Sequence, residues 1–218
     1  MNSSIIKFLA NLKENNNREW FAMNKSWYEE VKSDLERFLD NELIPGLAAF
    51  DSRIRSLTAK QCMFRIYRDV RFSKDKSPYK TYFGSYIAPG GRKSPFTGYY
   101  LHLEAGNCFA AGGIHCPKGD VLKNIRFEIY NRYDEFLSLV NDKKFKAYFN
   151  GITGEQLKRP PAGFPKDFPG MNYLKQKEFI YFRRFEDSAL DDPGFAAFLL
   201  DTYKTMKPVN DFFDVGML

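Results

Sequence analysis

The apolar residues of this chain change their period twice, and those changes limit the folds open to it. From about residue 24 to 43, Tyr28, Val31, Leu35, Phe38, Leu39 and Leu43 recur every three or four positions, with Glu29, Lys32, Asp34 and Arg37 off the stripe. That spacing predicts a helix with one buried face. Past Asp51-Ser52 the spacing falls to two: Phe64, Ile66, Val70 and Phe72 alternate with Arg65, Tyr67, Asp69 and Arg71, as in a half-buried strand. Residues 82–88, 98–104 and 108–115 read as further strands, divided by Pro89-Gly90-Gly91 and by a tight turn at Ala105-Gly106-Asn107. From residue 120 to about 149 the helical period returns through Val121, Leu122, Ile125, Ile129, Tyr133, Phe136, Leu137 and Val140, with breaks near Tyr133 and Asn141. Helices on either side of a run of strands define an α+β fold: a central, mainly antiparallel meander flanked by N-terminal and C-terminal helices.

The remaining elements complete that outline. Ser3 or Ser4 is placed to cap a first helix through Ile5, Ile6, Phe8, Leu9 and Leu12, which Asn15-Asn16-Asn17 stops. Pro45-Gly46 is expected to close the second helix. Residues 158–170 hold Pro160, Pro161, Gly163, Pro165 and Pro169 and read as a surface loop, a candidate lid over a basic face. Residues 178–185 add a strand and 193–206 a final helix. With 218 residues, 44% of them hydrophobic, the chain closes one core, so residues 1–218 are expected to form a single domain.

Several function classes fall away. The longest unbroken apolar run, residues 195–200, is far below the roughly 20 residues of a membrane span. Lys7 splits the apolar N-terminal patch, so it reads as a helix and not as a signal peptide. Cys62, Cys108 and Cys116 are odd in number and contain no C-x-x-C pair, which points to free thiols in a cytoplasmic protein. The formal charge of +6 is concentrated: between residues 60 and 80 stand Lys60, Arg65, Arg68, Arg71, Lys74, Lys76 and Lys80 against only Asp69 and Asp75. Such a local excess favours an anionic partner.

The stretch Asn15-Asn16-Asn17-Arg18-Glu19-Trp20-Phe21 and the block from Phe64 through Arg65-Ile66-Tyr67-Arg68-Asp69-Val70-Arg71-Phe72-Ser73-Lys74-Asp75-Lys76-Ser77-Pro78-Tyr79-Lys80 carry a resemblance. So do Gly98-Tyr99-Tyr100-Leu101-His102-Leu103-Glu104 with Gly112-Gly113, and Leu157-Lys158-Arg159-Pro160-Pro161-Ala162-Gly163-Phe164. Together they resemble the domain-of-unknown-function family 2461 over nearly the whole chain. The resemblance implies kinship and supplies no activity, cofactor or catalytic residue.

Candidate chemistry therefore rests on the residues themselves. Arg65, Arg68, Arg71, Lys74, Lys76, Tyr79 and Lys80 form the expected ligand-binding set, because guanidinium forks and ammonium groups match phosphate or carboxylate oxygens. An internally paired network with Asp69 and Asp75 is the structural alternative. Arg68 breaks the alternation, so it needs either a bulge or a carboxylate partner. His102 and Glu104, with His115 on the neighbouring strand, are the candidate acid–base residues. No metal site is expected, since His102, Glu104, His115 and Cys116 lack ligand spacing, and strand alternation turns His115 and Cys116 to opposite faces. No cofactor is indicated. The expected partner is a phosphorylated or carboxylated small molecule; the alternative is nucleic acid or an acidic partner on the same surface, since aromatics interleave with the cations.

Overall fold

The computed structural model describes residues 2–217. Helix α1 (Ser4–Glu14) buries Ile5, Ile6, Phe8, Leu9 and Leu12, the face that their spacing predicts. Ser3 precedes it without a side-chain cap; its N–H instead binds Asp191 at 2.8 Å. Asn17 caps a short helix, α2 (Arg18–Met23), by accepting the Trp20 N–H. Trp20 and Trp27 both pack against Phe8.

Helix α3 (Lys25–Phe38) runs without a stop into a π turn (Leu39–Leu43) and then α4 (Ile44–Ala48). The expected closure at Pro45-Gly46 is thus corrected. Pro45 lies inside this continuous helical run, and the π turn immediately before α4 accommodates the missing N–H and the change of register. The 3-10 turn Ser52–Ile54 and α5 (Ala59–Cys62) follow.

Four antiparallel strands, β1 (Phe83–Ile87), β2 (Gly98–Leu103), β3 (Cys108–Ile114) and β4 (Phe179–Phe185), lie in the order β1-β2-β3-β4. Between β3 and β4 come α6 (Gly119–Asn131), α7 (Tyr133–Val140), α8 (Lys143–Phe149) and α9 (Met171–Leu174), with the breaks where the apolar period falters. Helix α10 (Phe195–Val215) closes the α+β fold by crossing the sheet. Register decides what each face carries. Ile87, Tyr99, Gly112 and Tyr181 form one cross-strand row, and Tyr203 of α10 packs on Tyr99. The row three residues along, Gly84, His102, Phe109 and Arg184, must face the other way because side chains alternate.

Residues 64–72 do not form the strand that their alternation predicts. Met63 bridges Ser85 and the Phe64 N–H binds Gly84 O at 2.9 Å, then the chain leaves β1 and folds back on itself through a Tyr67–Tyr79 bridge. Only Ile66 of the four alternating apolar residues is buried, and Phe72 is 95% exposed. The side chains of Asp69 and Asp75 accept the N–H groups of Arg71 and Ser77, so local turns replace a ladder. At the other edge, Thr153 and Ile180 exchange two backbone hydrogen bonds of 2.7 and 3.0 Å.

The proline-rich loop is also displaced from its expected place. Phe164 packs on Phe127 and Tyr130, and Phe168 on Tyr130 and Tyr133, so the loop lies along α6 and α7 and is no lid over the basic segment. Among the described residues, no helix is long and apolar enough to cross a membrane.

A buried polar network ties the helices to the sheet. Arg53 grips both oxygens of Asp51 at 2.8 Å, and Asp51 also accepts the Tyr99 hydroxyl. Asp214 of α10 accepts the N–H and hydroxyl of Thr97. Asn210, one turn earlier, accepts the Gly113 N–H and the Tyr181 hydroxyl.

Candidate functional site

A cleft of about 570 Å³ opens where the end of α1 meets the folded-back basic segment. It is lined by Lys13 and Asn16, by Arg68, Asp69, Asp75 and Ser77, and by the run Tyr79-Lys80-Thr81-Tyr82 that leads into β1. Asn16 fixes the start of that run, because its amide both donates to Tyr79 O at 3.0 Å and accepts the Tyr79 N–H at 3.1 Å. Tyr79 is further held by stacking on Phe21, with centroids 4.0 Å apart.

Lys80 stands apart from the other cations. Its ammonium lies 5.5 Å from the Phe64 ring centroid and 5.7 Å from that of Tyr82, and no carboxylate among the described residues comes within salt-bridge distance. Burial, with the nearby Arg65 charge, pushes its pKa below the ordinary lysine value. Aromatic faces compensate part of that cost, but they are weaker partners than an anion. Lys13 and Arg65 likewise make no salt bridge among the described residues.

The other predicted cations are already occupied or turned away. Arg68 binds Asp75, the Ser77 carbonyl at 3.1 Å and the Ser73 hydroxyl at 3.4 Å, so the partner that its position demanded is Asp75. The Ser77 hydroxyl and N–H, with Arg68, pull the Asp75 carboxyl down to about 2. Arg71 forks onto Asp69 at 2.9 and 2.6 Å, which lowers the Asp69 pKa. Lys76 donates to its own loop at Val70 O, and Lys74 is exposed. Of the seven predicted residues, Arg68, Tyr79 and Lys80 line the cleft; Arg65, Arg71, Lys74 and Lys76 do not.

His102 sits one side chain beyond the cleft. Its ring is stacked between Tyr82 and Phe109, each 4.5 Å away, with Nδ1 3.0 Å from the Tyr100 hydroxyl and Nε2 3.4 Å from Glu104. Burial lowers the His102 pKa and outweighs the opposing pull of Glu104, so the imidazole is neutral at pH 7. Burial alone would raise Glu104, but bonds from Asn107, His102 and Thr81 lower it. Tyr82 and Thr81 thus belong to both places, lining the cleft and touching His102 and Glu104 respectively.

His115 does not converge with them. Phe109 is the β3 residue opposite His102, whereas His115 follows the far end of β3 and pairs with Glu178 at 2.6 Å. Its neighbour Cys116 is not on the opposite face either: with φ at +48° it has left strand geometry, and its Sγ lies 3.4 Å from His115 Nε2. Cys62 and Cys108 are buried free thiols, both pushed up to about 12 chiefly by burial.

Sequence reasoning did not identify Lys13, Asn16 or Thr81 as site residues, and singled out Tyr82 only among the aromatics interleaved with the cations. Nothing in local spacing brings the end of α1 to residue 79; the Asn15-Asn16-Asn17 run signalled only a helix stop. Beyond the cleft, the open sheet face carries Phe109 and Phe182, 5.8 Å apart, with the Arg184 guanidinium 5.9 and 5.2 Å from their centroids.

A family model described as "Conserved hypothetical protein (DUF2461)" matches residues 4–212. Neither the curated proteins nor the solved structures contain a match.

Proposed function

Since the chain belongs to the DUF2461 family, whose description names no reaction, the site must supply the reading, and we propose that the cleft binds a phosphorylated or carboxylated small molecule. The observation that carries this is Lys80: a partly buried ammonium in a cleft, beside Arg65, without a carboxylate. An anion placed there removes the cost of two neighbouring like charges and gains charge-assisted hydrogen bonds. Lys13 supplies a further positive charge at the wall, and the Tyr82 ring an apolar surface for the rest of the ligand.

His102 and Glu104 serve as acid–base residues in this reading only for a ligand that reaches past Tyr82. A cytoplasmic location belongs to the same reading and is supported by the three free thiols, which stay reduced there.

A second reading rests on the open sheet face. Phe109 and Phe182 offer aromatic surfaces beside the Arg184 guanidinium, the combination that single-stranded nucleic acids use. The two part in one experiment: thermal unfolding with nucleotides, sugar phosphates, carboxylates and short oligonucleotides at low and high salt. A ligand bound only by the folded chain at 100 times its Kd adds about 2.7 kcal/mol of stability. A small-anion shift that survives high salt supports the cleft. Shifts from oligonucleotides alone, abolished by salt, transfer the function to the sheet face.

A further inference from the structure

The register that pairs Ile114 with Phe179 brings the next two residues, His115 and Glu178, together where β3 and β4 separate. Strand alternation turns Cys116 away from His115, yet its left-handed backbone, rare for a residue with a Cβ, swings the thiol back. Sγ comes to rest 3.4 and 3.8 Å from the two ring nitrogens of His115 and 3.9 Å from Glu178 Oε2. An imidazole, a thiol and a carboxylate thus present one donor atom each within 4.8 Å of one another.

Glu178 is aimed from behind. Its Oε1 accepts the Glu155 N–H at 3.4 Å, which leaves Oε2 for the cluster. Gly154 makes room for this, since a Cβ there would stand 2.6 Å from Glu178 Cγ. The Glu178 side chain is 15% exposed and that of His115 73%, so the cluster is backed by protein on one side and open to water on the other.

We infer that His115, Cys116 and Glu178 form a site for a divalent transition-metal ion, zinc by its donor set, with the fourth position open to water. Zinc takes nitrogen, sulfur and oxygen donors at about 2.0–2.3 Å, which spaces tetrahedral donors roughly 3.3–3.7 Å apart. Of the Sγ distances, the 3.4 Å to His115 Nε2 falls in that range, and those to Nδ1 and Glu178 Oε2, at 3.8 and 3.9 Å, are slightly longer. His115 and Glu178 are closer because they share a hydrogen bond; the ion takes the place of that bond, and the exposed ring swings out by under about 1 Å. The Cys116 thiol releases its proton to solvent as the thiolate–metal bond forms. Three protein donors with an open fourth position is the form of a reactive zinc site and not of a closed structural one.

The test is titration of the metal-free full chain with Co²⁺, read by the near-ultraviolet thiolate-to-cobalt band, followed by Zn²⁺. The site requires a band that saturates at one equivalent and is bleached by zinc. Cys116→Ser abolishes it, and His115→Ala or Glu178→Gln weakens binding by more than the about 10–100-fold that loss of an outer-shell partner causes. Thermal unfolding without metal checks that each variant is folded. A second measurement needs no variant: zinc slows alkylation of Cys116, followed by peptide mass spectrometry. Absence of the band, a band that persists in Cys116→Ser, or alkylation of Cys116 unaffected by excess zinc overturns the site.

Discussion

Arg53 and Asp214, 161 residues apart in the chain, are joined by a 2.6 Å hydrogen bond. The same guanidinium holds Asp51, so one side chain neutralises two buried carboxylates and ties the 3-10 turn to α10. Arg53→Ala leaves both carboxylates without their cation, and removing one partner of a buried pair costs more than the pair contributes. Because Arg53 itself reaches solvent, the loss is set at about 3 kcal/mol, the low end for such cases. Urea unfolding measures it; a loss within experimental error refutes the role. Burial raises the Asp51 pKa, but the Arg53 bond and charge outweigh it, so the net shift is downward. The stability that follows is complete above the unfolded carboxyl value of about 3.9 and is lost as pH falls below it, a dependence Arg53→Ala abolishes.

His102 gives a dependence of the same sense in a milder range. Its folded pKa is depressed, so the unfolded chain binds the extra proton. Stability is therefore complete above about 6.5 and declines as pH falls toward the folded value. The chain has only two histidines, so its imidazole resonances are simple to assign. His102 is expected to titrate below 6.5 by NMR, and His102→Phe to remove the decline in Tm between pH 7 and 5. A midpoint above 6.5 contradicts the packing described.

Gly113 has φ at +95°, and a Cβ added there would stand 2.0 Å from Phe179 O. Its N–H is bound to Asn210. Gly113→Ala therefore combines backbone strain with overpacking, about 3 kcal/mol or more in sum. At about 2–4 °C per kcal/mol for a chain of this size, Tm falls on the order of 10 °C. Calorimetry decides; a drop under about 3 °C would show that β3 can shift at no cost.

Lys80 and Arg68 line the same cleft but differ in their response to removal. A lysine with a depressed folded pKa is penalised at every pH below that value, so Lys80→Met raises Tm at pH 7 without ligand. It also abolishes the shift that a small anion causes. Arg68→Ala changes Tm little, since the pair it forms is exposed, but it frees residues 68–78 to faster amide exchange. A Lys80→Met protein that keeps the anion shift removes the cleft from consideration.

The parts of the fold legible in sequence are those where one residue's neighbours are close in the chain. The α3 stripe, the breaks around α7 and the three consecutive strands follow from periods of 3.6 and 2 with turn residues between them. Residues 64–72 share the strand period, yet a period records which side chains alternate and not whether a partner strand exists. Asp69 and Asp75, noted as counter-charges, are also what bends that segment. That Arg68, Tyr79 and Lys80 lie close together was legible because they share one segment. Lys13 and Asn16 were not, and neither was Glu178 beside His115, because each meets its partner through tertiary register alone.

Each edge of the sheet is capped over part of its length by the chain itself: Met63 and Phe64 pair with β1 at Ser85 and Gly84, and Thr153 with β4 at Ile180. An open edge is a template on which a second copy adds strands, and aromatic-rich strands like these are prone to it. Where those groups are occupied no second strand can add, so a molecule approaching there meets side chains, which can change without disturbing the ladder.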